Sequence, residues 1–306
     1  MRCKKMIGRI LKKIVPEKLY RLLANGFIIV PAYYKDIIRD NENYFGYALA
    51  DTDEKALLLM RKFGHIIDKG LHRRDVTPGH SKDAYLFLKS SVERLQHSKY
   101  ANDPTLKWAT EKLQQYELLQ ARPDEFKPLE NLADTSSIVS YEQFVDLVKS
   151  RRSNRFFKAN IIREDVAIRL VSVSNWASSS CNKQPNSLFY TLDPALAVQC
   201  LKCCKGGTGF GHIIPSFWVF TADSRGYVWP SEYMLPYVDV SLGAQNVMLA
   251  AQTLGITGTI LSWAQKSEEE DVQLRRLLSI PKEYVIVFCA VLGYAEHNYL
   301  PPTRKF

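Results

Sequence analysis

The stretch "VDVSLGAQNVMLAAQTLG" occupies residues 238–255, and "TGTILSW" follows it at 257–263. The first reads as a long helix whose alanine-rich face invites close packing and whose Gly255 fits the position just past a helix end. The second reads as a strand. Outward from this pair the pattern repeats. "EEEDVQLRRLLSI" (268–280) is a helix with acids in its first turn, and "EYVIVFCAVLGY" (283–294) a nearly all-apolar strand. Upstream, "SLFYTL" (187–192) and "SFWVFTA" (216–222) are strands, and "PALAVQCLKCC" (194–204) is a helix with proline near its first turn. "DVAIRLVSVSNWA" (165–177) is a helix with Val166, Leu170, Val173 and Trp176 or Ala177 on one face. Long apolar helices around a central sheet predict an α+β sandwich from about residue 138 onward.

Residues 1–137 have another character, mainly helical with few strand-like runs. "KALLLMRKFGHIIDKGL" (55–71) sets Leu58, Leu59, Lys62, Phe63, Ile66 and Ile67 at helical spacing. "TLKWATEKLQQYELLQ" (105–120) does the same with Leu106, Ala109, Leu113, Tyr116 and Leu119 or Gln120. "ARPDEFKPLENLADTSS" (121–137) reads as a linker, so the expected division is 1–137 and 138–306.

The chain has 306 residues and a net charge of +9, which is distributed unevenly. Residues 1–21 carry eight Lys or Arg against Glu17, a balance of +7, and the other 285 residues hold only +2. A nearly neutral body does not indicate a nucleic-acid groove. "MRCKKMIGRILKKIV" sets Met6, Ile7, Ile10, Leu11 and Ile14 on one helical face with lysines on the other. Such a helix can lie on an anionic membrane surface or pack its apolar face on its own protein. No run approaches the roughly 20 apolar residues of a spanning helix. "FIIVPAYY" (27–34) is short and broken by Pro31, and lysines interrupt every apolar stretch that could begin a secretory signal. The cysteines at 3, 181, 200, 203, 204 and 289 form no regular framework and read as reduced thiols in a cytoplasmic protein.

Four stretches concentrate polar chemistry. "SRRSNRFF" (150–157) packs three arginines directly after the helix-like "YEQFVDLVKS". Taken alone it is either a solvated helix end, where cations suit the carbonyl terminus, or an anion site. "ASSSCNKQPNSLFY" (177–190), "LGITGTILSW" (254–263) and "LPPTRKF" (300–306) follow in that order. Together the four resemble the nitroreductase family of FMN-dependent oxidoreductases, over roughly residues 141–306. The resemblance implies a sandwich with a mostly antiparallel central sheet. It implies that Arg151, Ser153 and Arg155 hold the FMN phosphate and ribityl chain, with Arg152 contributing mainly through its backbone, and that Arg304 is a second phosphate clamp. A flavin phosphate carries close to two negative charges, which suits paired guanidinium forks.

By the same resemblance Ser179, Ser180, Asn182 and Gln184 reach the flavin of a partner subunit, and Leu261 and Ser262 bring backbone near flavin N5. The implied protein is a homodimer with FMN at the subunit interface. It takes electrons from NADH or NADPH and passes them to a small organic oxidant, nitro, quinone or similar. No side chain is needed as a catalytic acid, base or nucleophile, because the cofactor does the chemistry. Departures from the family pattern are Asn186, where many relatives have an aromatic residue, and a stretch from Phe220 to Asp239 shorter than in many relatives. The N-terminal helical region is a candidate for the missing cover. A reading from another class is an interaction protein, flavin-binding or flavin-less, docked through its basic N-terminus.

Other features have plainer readings. "CLKCC" with His212 lacks a second ligand cluster for zinc, and small buried cysteines pack as apolar residues; no metal site is expected. The glycines at 206, 207, 209 and 211 fit no phosphate-loop or dinucleotide pattern. The six histidines, at 65, 72, 80, 97, 212 and 297, stand beside no nucleophile motif.

Overall fold

The computed structural model describes residues 16–24, 26, 51–127, 137–207, 210, 213–264, 266–297, 299–301, 303 and 304. The basic amphipathic segment 1–15, the apolar run 27–34, most of the linker at 128–136 and His212 lie outside the described residues. Among the described residues no helix is long and apolar enough to cross a membrane.

After a short helix α1 (Glu17–Ala24), three helices, α2 (Asp53–Leu71), α3 (Lys82–Leu95) and α4 (Pro104–Ala121), enclose one apolar core. The starts of α2 and α4 have a local cause. The Thr52 hydroxyl accepts a hydrogen bond from the Lys55 amide at 3.2 Å, and Asp103 accepts from the Thr105 amide at 2.8 Å ahead of Pro104. The sequence singles out α2 and α4 by their apolar stripes; α3 emerges from the structure, filling the space between them with Leu88, Val92 and Leu95. Each such leucine contributes about 1.5–3 kcal/mol by leaving water. Gly64 lets α2 and α4 approach: a Cβ there would lie 2.5 Å from the Trp108 ring.

The remainder is a four-stranded sheet, β1 (Asn186–Thr191), β2 (Phe217–Asp223), β3 (Ile256–Ser262) and β4 (Tyr284–Tyr294), in the order β1-β2-β4-β3. All three ladders are antiparallel, as the resemblance implies; a single parallel bridge joins Ser153 to Gly258. Period-two alternation sorts the central strands between two cores. Phe217, Val219, Cys289 and Val291 face α7 (Pro194–Lys202) and α9 (Glu268–Leu277). Trp218, Phe220, Ala290 and Leu292 face α6 (Glu164–Ser172) and α8 (Leu235–Thr253). A bulge between Phe220 and Thr221 adds a residue on β4, so Val287 and Phe288 both turn to the α8 side.

Gly255, at φ +70°, closes α8 as expected. The acidic run at 268–271 opens α9, with Ser267 and Glu270 in a reciprocal capping box. The helix expected over 165–177 stops at Ser172 and continues as a 3-10 turn at Ser174–Trp176. There the Asn175 side chain bonds the backbone of Asn186 in both directions, at 2.9 and 3.1 Å, which fastens the turn to β1. Asn186 also donates from Nδ2 to the Ser174 carbonyl at 3.0 Å, against Gly243 of α8. This residue stitches the fold together.

Candidate functional site

Helix α5 (Tyr141–Ser150) opens with a capping box between Ser140 and Gln143 and ends where the arginines begin. From there the chain runs extended between strand ends. Asn154 N donates to the Gly258 carbonyl at 3.2 Å, Lys158 N to the Tyr294 carbonyl at 2.9 Å, and Glu296 N to the Phe156 carbonyl at 3.1 Å. The Asn154 side chain, 2% exposed, ties the segment internally and outward. Its Oδ1 accepts from Phe156 N at 2.9 Å, and its Nδ2 donates to the His297 carbonyl at 3.2 Å. Backbone bonds and the Asn154 side chain therefore hold the segment, leaving the arginine side chains for other work.

Those side chains divide between two roles. Arg152 turns back: its Nη1 donates to the carbonyls of Lys149 and Arg151 and its Nε to Tyr299 at 3.2 Å. It caps the end of α5, the role a cation has at a helix terminus. Arg152 also borders a cleft of about 290 Å³, which Arg151 and Arg155 line with Ser153, Phe156, Tyr299, Leu300 and Arg304. Among the described residues no carboxylate pairs with Arg151, Arg155 or Arg304. Burial lowers the Arg151 guanidinium below its ordinary value, and the like charges of Arg304 and Arg152 push the same way. A cleft that gathers cations without counter-charge favours an anion, and guanidinium forks suit a phosphate.

The "SSSCNKQP" loop lies elsewhere on the chain. Ser179 Oγ accepts from Gln184 N at 3.0 Å, Ser180 N donates to Asp239 Oδ1 at 3.0 Å, and Gln184 Nε2 donates to Asn182 Oδ1 at 3.2 Å. Cys181, Asn182 and Gln184 all hold positive φ near 50°, a conformation that costs non-glycine residues free energy. Asn182 and Gln184 line a second cleft with Arg61, Pro104, Thr105 and Trp108 of the helical region. The described chain thus does not bring this loop to the arginine cleft. Leu261 is 3% exposed inside the core, and Ser262 is exposed at the far end of β3. Ser262 lies about 13 Å along the strand from the Ser153–Gly258 bridge, at roughly 3.3 Å per residue.

Beneath the loop lies a network that sequence reasoning missed. Glu232, in a 3-10 turn (Pro230–Glu232), accepts from Lys183 Nζ at 2.9 Å, from Lys62 Nζ at 3.2 Å, and from the amides of Val228 and Trp229. Lys183 is wholly buried, and its ammonium also donates to Ser180 and sits 5.0 Å from the Tyr227 ring centroid. The Tyr227 hydroxyl donates to Asp239 Oδ2 at 2.7 Å. Burial pushes Glu232 up, but its lysines and the Trp229 amide outweigh that and hold it below the ordinary carboxylate range. The available signal was Lys62 itself, a lysine within the apolar stripe of α2.

The cysteines of "CLKCC" pack in the sandwich core with Cys289, and burial raises Cys200 to about 12 and Cys203 to about 11, as for inert thiols. Among the described residues no group of three or more His, Cys, Asp or Glu is placed to hold a metal ion.

Residues 217–294, from β2 to the end of β4, match the Nitroreductase family. An oxygen-insensitive NADPH nitroreductase of Salmonella typhimurium is 25% identical over 163 residues, 50% of this chain and 66% of that protein. The chain thus spans just under two thirds of that relative's length. Among solved structures, an FMN-dependent nitroreductase from Clostridium difficile superposes with a TM-score of 0.45 at 20% identity, covering 52% of this chain and 91% of that one. An NADPH:FMN oxidoreductase from Vibrio harveyi, solved with NAD+, gives 0.45 at 23% identity, covering 52% and 72%. The resemblance to the nitroreductase family over about half the chain is real.

Proposed function

We propose that this chain, nitroreductase-like over its C-terminal half, is an FMN-dependent oxidoreductase that takes hydride from NADH or NADPH and passes electrons to a small organic acceptor such as a nitro compound or quinone. One observation carries the reading: Arg151, Ser153 and Arg155 share a cleft with Arg304, a residue some 150 positions away, and no described carboxylate neutralises them. These residues fit the phosphate end of FMN. Arg151, Arg155 and Arg304 would clamp the phosphate and Ser153 would bond it, while Arg152 fixes the segment that carries them. FMN, when bound, supplies the ring nitrogen that accepts hydride. The backbone at Leu261 and Ser262 would orient the ring, and Ser179, Ser180, Asn182 and Gln184 of a second subunit would complete the site.

Surface chemistry supports a homodimer. Helix α5 buries none of its residues, although Tyr141, Phe144 and Val148 share its apolar face. Val238 and Leu242 of α8 and Trp176 are exposed as well. Apolar surface on this scale suits an interface. The protein so read works in the cytoplasm, without nucleic acid, and a membrane contact would involve only residues 1–21.

The second reading, a scaffold without flavin, is favoured by the absence of Leu261 and Ser262 from the arginine cleft. An anaerobic visible absorption spectrum before and after NADH or NADPH decides between them. Flavin bands that bleach establish the reductase and name its donor; a protein that takes up no FMN ends this reading.

A further inference from the structure

The second cleft joins two parts of the chain that sequence alone leaves unrelated. Arg61 of α2 and Thr105 and Trp108 of α4 come from the helical region, and Asn182 and Gln184 from the strained loop of the sandwich. We propose that this cleft binds a planar aromatic carboxylate, its carboxylate on Arg61, its ring against Trp108 and its remaining polar substituents on the Asn182 and Gln184 amides. If the protein is the reductase proposed above, this ligand is its electron acceptor; the binding itself does not depend on that reading.

Each group is set for such a ligand. Arg61 Nε donates to Thr105 Oγ1 at 3.0 Å, which fixes the guanidinium, and among the described residues no carboxylate forms an ion pair with it. Burial lowers Arg61 from its ordinary value, with Asp103 and Asp223 acting against this from a distance. A half-buried guanidinium with its Nη atoms left over is a bidentate seat for a carboxylate. The Trp108 indole rests on Gly64, where no side chain intervenes, and its flank lines the cleft. The bond from Gln184 Nε2 to Asn182 Oδ1 holds these amides together. It leaves one carbonyl acceptor on Gln184 and one NH2 donor group on Asn182. The cleft measures about 220 Å³, the size for a single substituted ring and too small for a nicotinamide dinucleotide. An indole selects a ring over acetate or inorganic phosphate, and the guanidinium selects the acid over its ester.

The test is calorimetric titration of the full-length protein with 4-nitrobenzoate, methyl 4-nitrobenzoate and acetate. The acid should bind at least tenfold tighter than either of the other two. Arg61→Ala should abolish the preference for acid over ester, and Trp108→Ala should weaken the acid tenfold or more. Equal binding of acid and ester by the wild type overturns the proposal without recourse to any variant, as does unchanged acid affinity in folded Arg61→Ala. NADPH oxidation with menadione, a neutral acceptor, is measured in parallel. Activity there with no selective binding of the acid sinks the cleft and keeps the reductase; selective binding with no activity does the reverse.

Discussion

Lys62 and Glu232 stand 170 residues apart and meet in the interior, Nζ lying 3.2 and 3.3 Å from the two carboxylate oxygens, with both residues less than 10% exposed. This pair fastens the three-helix region to the sandwich, because Lys62 belongs to α2 and Glu232 to the loop before α8. Lys183 shares the same carboxylate, so one anion answers two buried cations. Tertiary structure thereby joins the two cores at the floor of the "SSSCNKQP" loop.

Removing that anion should be costly. Glu232→Gln leaves two buried ammonium groups without a counter-charge, a loss of about 3–5 kcal/mol. Chemical denaturation should show the midpoint falling accordingly, with the helical region separating first. A shift below about 1 kcal/mol would mean that the lysines find other partners.

The same carboxylate predicts an acid transition. Its folded pKa is held below the unfolded value near 4.5, so its contribution is complete above that pH and is lost as pH falls through the folded value. Wild-type stability should decline below about pH 4.5 more steeply than that of Glu232→Gln. Parallel pH profiles for the two proteins would remove Glu232 from the account.

The double variant Arg151→Ala, Arg155→Ala should keep its fold and lose flavin. Charge-assisted bonds contribute about 1.5–3 kcal/mol each, so affinity should fall by about 100-fold or more. Circular dichroism checks the fold and flavin absorbance the occupancy. Undiminished flavin content ends the phosphate-clamp assignment.

Gly258 couples sheet and site. A Cβ there would overlap the Val291 carbonyl and approach Leu292 Cδ2 at 2.5 Å, while the Gly258 carbonyl holds Asn154 N at 3.2 Å. Gly258→Ala should cost about 1–3 kcal/mol and weaken flavin binding by displacing the arginine segment. Full flavin affinity together with lowered stability would separate the two roles.

If the bare face of α5 is a subunit interface, Phe144→Glu with Leu242→Glu should yield a monomer that no longer retains flavin. Light scattering and flavin content read both consequences. A wild type that is itself monomeric would remove the interface.

All four strands, and among the described residues the helices read from an apolar period apart from the early end of the one expected over 165–177, stand close to where the sequence placed them, since burial on one face leaves a period of 2 or 3.6 in the chain. Gly255 and the acid-rich start of α9 were legible for similarly local reasons. Taken alone the arginine cluster was legible only as a cluster; its reading as a phosphate clamp came from the order of the four motifs. Its local text fits a helix cap as well as an anion clamp, and the structure shows Arg152 capping α5 at the edge of the cleft that Arg151 and Arg155 line. Asn186 read as a departure where many relatives have an aromatic residue, and its amide stitches β1 to the turn at Ser174–Trp176.

The sequence by itself determined the four strands, most of the helices with their buried faces, and the order of the polar motifs, because these follow from backbone geometry and side-chain type over a few residues. Only the tertiary structure decided that Lys62 is neutralised by Glu232 and that Arg61 and Trp108 line one cleft with Asn182 and Gln184. Which distant charges end up adjacent depends on the path of the whole chain, and no local period records it.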